Sequence, residues 1–260
     1  MQRFGKILYV TGEQASPDPA FRRACRLARG NRAELTLVAV RPSPQRFAVA
    51  PGSWGAGWTP TLATLRRKAG EKIRRHLDEL AEEAAEAGVE ARTRLREGRL
   101  FQEVIREVLR EGHDLVVKSA TGDRSRLRWF FGSDDHHLMR KCPAPVWLLD
   151  PDRAAGYRGV LAAVDVASEE ERSLNVKILE LASSLAELEG AELHVVHAWS
   201  LHEERYLRAH ESEISHTGLR GLLRAEKEER SQRLEAVVEE VAPSAKVHLR
   251  KGDAARIVSL

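Results

Sequence analysis

Short apolar runs alternate with stretches of helical period along the first 150 residues. Ile7-Leu8-Tyr9-Val10, Leu35 to Val40, Ala91 to Arg96, 115–118 and 145–149 read as strands. Between them the pattern predicts helices from Pro19 to Arg29, from Thr61 to Ala87 and from Leu100 to Arg110, and a short helix opened by Ser133-Asp134-Asp135 that ends near Cys142-Pro143. Leu62, Leu65, Ala69, Ile73, Leu77, Leu80 and Ala84 recur at three- and four-residue spacing, which predicts one apolar stripe along the long helix. Asp18-Pro19 is a helix start, and Gly30, Gly88 and Gly112 are expected as left-handed residues just past three helix ends. Strands alternating with helices predict an α/β fold with a doubly wound parallel sheet.

The second half repeats the first. Lys6-Ile7-Leu8 corresponds to Gly159-Val160-Leu161, Glu34 to Val38 corresponds to Glu192 to Val196, and Arg94 to Gly98 corresponds to His248 to Gly252. The offsets are 153, 158 and 154 positions, and order and distance kept across three strands argue for a tandem duplication. Unit 1 is expected over 1–150, a linker over 151–156 and unit 2 over 157–260. In unit 2, Ser168 with Glu171 reads as a capping box, and Leu174, Ile178, Leu181 and Leu185 as one helix face. Leu260 falls early in the helix matching 100–110, so unit 2 is expected to lack counterparts of strand 115–118, of the loop after it and of strand 145–149, as in a shortened tandem protein.

Composition narrows the function classes. Forty-two basic against 39 acidic residues give +3, with the signs interleaved, so nucleic-acid binding is not expected. No apolar run reaches the roughly 18 residues of a membrane span, and Met1-Gln2-Arg3-Phe4-Gly5-Lys6 has no secretory signature, which predicts a cytoplasmic protein. Cys25 and Cys142 are too few for a metal cluster.

The candidate chemistry lies after strand 115–118. Ser119-Ala120-Thr121-Gly122, nine further residues and then Gly132-Ser133 place glycines and hydroxyls around a strand-to-helix turn, where unpaired helix N–H donors attract phosphate. With Lys141 to Leu149 completing a last strand, the pattern resembles the glycine-rich ATP-binding signature of the universal stress protein family. That signature begins with glycine where this chain has Ser119 and matches at Gly122, Gly132 and Ser133. Leu138 to Trp147 and Leu161 to Glu170 resemble the tandem, E-type members in particular. The resemblance implies two adenine nucleotide alpha hydrolase-like units of strand order 3-2-1-4-5, the second incomplete, and a stress-response role. It also implies pairing of units through the last strand, hence a homo-oligomer or a partner protein.

The resemblance further implies an acidic nucleotide contact at the end of the first strand, which falls on Gly12 in unit 1 and on Asp165 in unit 2. Main-chain adenine contacts fall on Val40 and Ala198. Gly12 and Ser119 both depart from the pattern, so a degenerate site is expected, with weak ATP binding or none. Asp134-Asp135-His136-His137 offers metal-ligand types, but neighbours on a helix diverge and first-turn acids answer the helix dipole. His194 and His197 are placed on opposite faces of their strand. No nucleophile has an evident base, so the chain is read as a binding protein and not an enzyme. Trp54 and Trp58 in the Pro42 to Pro60 loop, and Trp129-Phe130-Phe131, keep open a carrier of a hydrophobic or lipid-like molecule. Asp123 and Asp134 keep open a weak ATPase or adenylate-handling enzyme.

Overall fold

The computed structural model describes residues 4–12, 18–43, 59–120, 133–150, 156–201 and 216–258. The chain divides into two compact units, Met1–Ala154 and Ala155–Leu260.

The first unit is a parallel sheet of five strands in the order β3-β2-β1-β4-β5. Its elements are β1 (Lys6–Val10), α1 (Pro19–Asn31), β2 (Glu34–Arg41), α2 (Thr59–Glu86), β3 (Ala91–Glu97), α3 (Leu100–Glu111), β4 (Leu115–Ser119), α4 (Ser133–Lys141) and β5 (Val146–Leu149). Strand β1 is central, with Ile7 beside Leu35 on one flank and Leu115 on the other. Its run from Ile7 to Val10 is apolar and buried because helices cover both faces of the sheet. Ile7 and Tyr9 pack with α1 and α2, while Leu8 and Val10 pack with α3 and α4, as two-residue alternation requires.

Two expected details differ. Helix α1 runs through Gly30 to Asn31, and Arg32 adopts the left-handed conformation (φ 53°) while Ala33 donates back to the Ala28 carbonyl at 2.9 Å. Gly88 and Gly112 are left-handed as expected, at φ 76° and 71°. Among the described side chains, the apolar stripe of α2 reaches the core from Ile73 onward, through Leu77, Leu80 and Ala84, and Leu65 is 57% exposed. A 28-residue helix is about 42 Å long and outreaches strands of five to eight residues, so its first turns have no sheet beneath them.

The face under α3 holds charge. Glu107, fully buried, takes Arg96 at 2.7 Å and Arg110 at 3.3 Å on Oε2, with Arg94 at 3.8 Å from Oε1. Beside it buried His113 donates from Nδ1 to the Glu107 carbonyl at 3.3 Å. Burial lowers the His113 pKa from its ordinary 6.5 and outweighs the opposing pull of that carbonyl. The folded state therefore keeps the ring neutral where the unfolded chain takes up a proton. Stability from this group is present above about pH 6.5 and is lost as pH falls. The thermal midpoint should decline between about pH 7 and pH 5, and His113→Leu should flatten that decline relative to the parent chain.

The second unit is a three-stranded parallel sheet, β6-β7-β8. It comprises β6 (Gly159–Ala163), α5 (Arg172–Glu189), β7 (Glu192–Trp199), α6 (His216–Val241), β8 (Lys246–Lys251) and α7 (Ala254–Val258). Its ladder repeats that of the first unit. Thr11 N–H donates to the Val38 carbonyl and Val164 N–H to that of Val196, both at 3.0 Å. Gly98 donates to Arg41 at 2.9 Å and Gly252 to Trp199 at 3.0 Å. Both glycines have positive φ, 158° and 146°, so each β3-type strand ends on a backbone shape that side chains resist.

The expected cap of α5 is corrected. Ser168 makes no capping hydrogen bond, because Glu169–Glu171 form a 3₁₀ turn and the helix begins at Arg172. Its buried positions are Asn175, Leu179, Ala182 and Ala186, while Leu174 is 51% exposed. The face named from sequence is thus rotated by about one residue, since small Ala182 and Ala186 allow close approach to the sheet and the leucines flank that seam. Among the described residues no helix is long and apolar enough to cross a membrane.

Candidate functional site

In a doubly wound sheet ligands lodge outside the carboxyl ends of the strands. In the first unit β1 ends there at Val10-Thr11-Gly12, β2 at Val40-Arg41 and β4 at Ser119. The side chain that organises this end is Asp18, the N-cap of α1. One of its oxygens accepts the Ala20 N–H at 2.9 Å and the Ser119 hydroxyl; the other accepts the Tyr9 hydroxyl at 2.5 Å. Tyr9 is buried, and burial first, then the charge of Asp18, pushes its phenol far above the ordinary value of 10. The phenol therefore remains a donor, and Asp18 is held by three groups.

Gly12, beside it, is exposed, and an added Cβ would meet nothing within 4 Å. Buried Thr11 places its hydroxyl 3.2 Å from the Gly12 carbonyl and 3.1 Å from Nε2 of His76 on α2. Val40 is half-buried against the core under α3 and α4. Gly122 and Gly132 lie outside the described residues, as do Asp123, the aromatic segment 129–131 and the tryptophans at 54 and 58. Ser133 opens α4, the expected place for the helix that closes a phosphate loop.

The start of α4 is fixed by a pair that sequence reasoning did not find. Lys118 Nζ lies 2.9 Å from Asp135 Oδ1, with side chains only 4% and 0% exposed. The contact is a charge pair by distance, without the alignment of a good hydrogen bond, and Lys118 also donates to the Ser119 carbonyl at 2.7 Å. A lysine closing an apolar strand was the only signal, and its partner is 17 positions away. Asp134 and His137 do not meet around a shared ion; His137 stacks on Phe101 with ring centroids 4.4 Å apart. Among the described residues no three His, Cys, Asp or Glu side chains could hold a metal.

In the second unit the ladder places Asp165 where Gly12 stands in the first. Its exposed carboxylate accepts the Ala167 N–H at 2.9 Å, an Asx turn, and its main chain is clamped by Asn175 at 3.1 and 2.6 Å. His197 is buried and bonded to the Val164 carbonyl at 3.0 Å; half-buried His194 lies on the other face, 2.9 Å from His248. Ala198 is half-buried beside Arg250.

The family model of the universal stress proteins matches residues 3–150, more than half of the chain and the whole of the five-stranded sheet. The chain belongs to the universal stress protein family. Universal stress protein E of Escherichia coli K12 is 38% identical over 104 residues, covering 39% of this chain and 33% of that protein. Universal stress protein E of Photorhabdus laumondii is 25% identical over 206 residues, 76% of this chain and 63% of that protein. The match thus spans a third to just under two thirds of these relatives. A universal stress protein from Archaeoglobus fulgidus superposes with a TM-score of 0.60 at 17% identity, over 97% of this chain and 80% of that one, and shares the fold.

Proposed function

We propose that this universal stress protein acts in the stress response by binding and not by turnover, with a degenerate nucleotide site in its first unit. The observation that carries this is the Asp18–Ser119 contact. The first hydroxyl of the glycine-rich signature is engaged by a carboxylate, so a phosphate brought there meets negative charge. Unit charges about 4 Å apart repel by about 1 to 4 kcal/mol between bulk water and a partly screened surface. Gly12 removes the acidic nucleotide contact that the family places at the end of the first strand. Asp18 accepts from Tyr9, Ala20 and Ser119 together, so the Ser119 hydroxyl is held as part of the cap of α1.

Calorimetry of the parent chain with Mg-ATP should show no saturable heat. Restoring the family residues in Gly12→Asp/Ser119→Gly should gain about tenfold in affinity or more, because Gly12 has room for a side chain and the double change frees the loop start from Asp18. Tight binding by the parent chain that vanishes in Gly132→Val would sink the degenerate-site reading. Steady release of phosphate from ATP would sink the non-enzymatic one.

A further inference from the structure

The amino ends of β1 and β2 meet the end of α3 around a cavity of about 10 Å³. Arg94 lines it, whereas Arg96 and Arg110, which hold Oε2 of Glu107, do not, so the cavity lies on the Oε1 side of that carboxylate. Oε1 is buried and accepts no hydrogen bond, and the Arg94 guanidinium stands 3.8 Å away. His113 also lines the cavity. It donates from Nδ1 to the Glu107 carbonyl, which leaves Nε2 with an open lone pair. Thr36, 8% exposed, adds a hydroxyl that can donate or accept.

We propose that this cavity is a binding site for one structural water, which donates to Glu107 Oε1 and His113 Nε2 and accepts from Arg94 and Thr36. The four contacts use both protons and both lone pairs of the water, as a buried water requires. The volume is about that of one water-sized probe and admits nothing larger. Charge also favours a neutral occupant. Lys6, Arg92 and Arg94 stand against Glu34, Glu107 and Glu111, three of each sign. The second unit supplies an independent comparison. Its Glu192–Lys246 pair, at 2.8 Å, repeats Glu34–Arg92, at 3.1 Å. The positions of Thr36 and Arg94 are taken there by His194 and His248, whose ring nitrogens meet directly at 2.9 Å. Two rings span the distance themselves, whereas a threonine and an arginine need a bridge. The site lies at the opposite ends of the strands from Asp18 and Ser119, so it does not depend on the nucleotide-site reading.

Crystals of the full chain, one of them soaked in rubidium bromide, test the site directly. A density peak should stand about 2.7–3.2 Å from both Glu107 Oε1 and His113 Nε2, without anomalous signal from either ion. An anomalous rubidium or bromide peak at that place would make the occupant an ion, and a cavity without density would make it dry; each overturns the proposal. Thr36→Val supplies a readout in solution, because it keeps the shape of the side chain and removes one partner of the water. The thermal midpoint should fall by about 2–4 °C. In a dry cavity the same change replaces a buried hydroxyl that has no partner by a methyl group, and the midpoint would rise or stay. A rise or an unchanged midpoint therefore also overturns the proposal.

Discussion

Replacing Asp135 by alanine should destabilise the first unit by about 3–5 kcal/mol, a large share of the roughly 5–15 kcal/mol that holds a domain together. The change leaves the ammonium of Lys118 in the core, 4% exposed, without its carboxylate. A lysine stem ending beneath α4 cannot turn its charge to water without moving that helix. Lys118→Met/Asp135→Leu removes both charges at similar volume and should recover most of the loss, since a buried pair exchanged for apolar groups is often neutral or better. Amide hydrogen exchange in β4 and α4 measures this within the unit concerned. If Asp135→Ala cost less than about 1 kcal/mol, the pair would have to be hydrated and its role in fixing the start of α4 would fall.

Glu107→Ala should cost less, about 2–3 kcal/mol, although its carboxylate is buried just as deeply and meets three arginines. The difference lies with the partners. Arg94, Arg96 and Arg110 are 38%, 28% and 55% exposed, so each can swing its head to solvent once the carboxylate is gone. Glu107→Gln keeps the shape and an acceptor for Arg96 and should lose about half as much. Denaturant unfolding of the two variants beside Asp135→Ala decides the ranking. A larger loss in Glu107→Ala than in Asp135→Ala would mean that the exposure of the partner does not set the cost.

The chemistry of the site was legible where it depends on local order and hidden where it depends on pairing. Asp18-Pro19 is visible as a helix start, because an N-cap is a relation among residues two or three apart. That the same carboxylate also receives Tyr9 and Ser119 is a relation across 9 and 101 positions, and nothing in either neighbourhood announces it. Asp135 reads as a first-turn acid answering the helix dipole, and only the packing of α4 on β4 turns it into the partner of Lys118. Asp165 shows the converse, since its turn role follows from Asn175 and Ala167 within ten residues of it.

The sequence by itself determined the alternation of strands and helices, the parallel doubly wound sheet and the correspondence of the two halves. These follow from two- and 3.6-residue periods and from spacings kept over about 155 positions, which belong to the chain whatever its contacts. The tertiary structure decided which part of each apolar stripe is covered. Ile73 to Ala84 of α2 meets the sheet and Leu65 does not, and in α5 the seam falls on Ala182 and Ala186 while Leu174 stays in water. It alone also decided the long-range polar contacts, the hydrogen bond from Ser119 to Asp18 and the charge pairs of Asp135 with Lys118 and of Glu107 with its arginines. The physical reason is that periodicity fixes the direction in which a side chain leaves its own element. Burial and charge neutralisation depend on what another element, tens of residues away, brings to meet it.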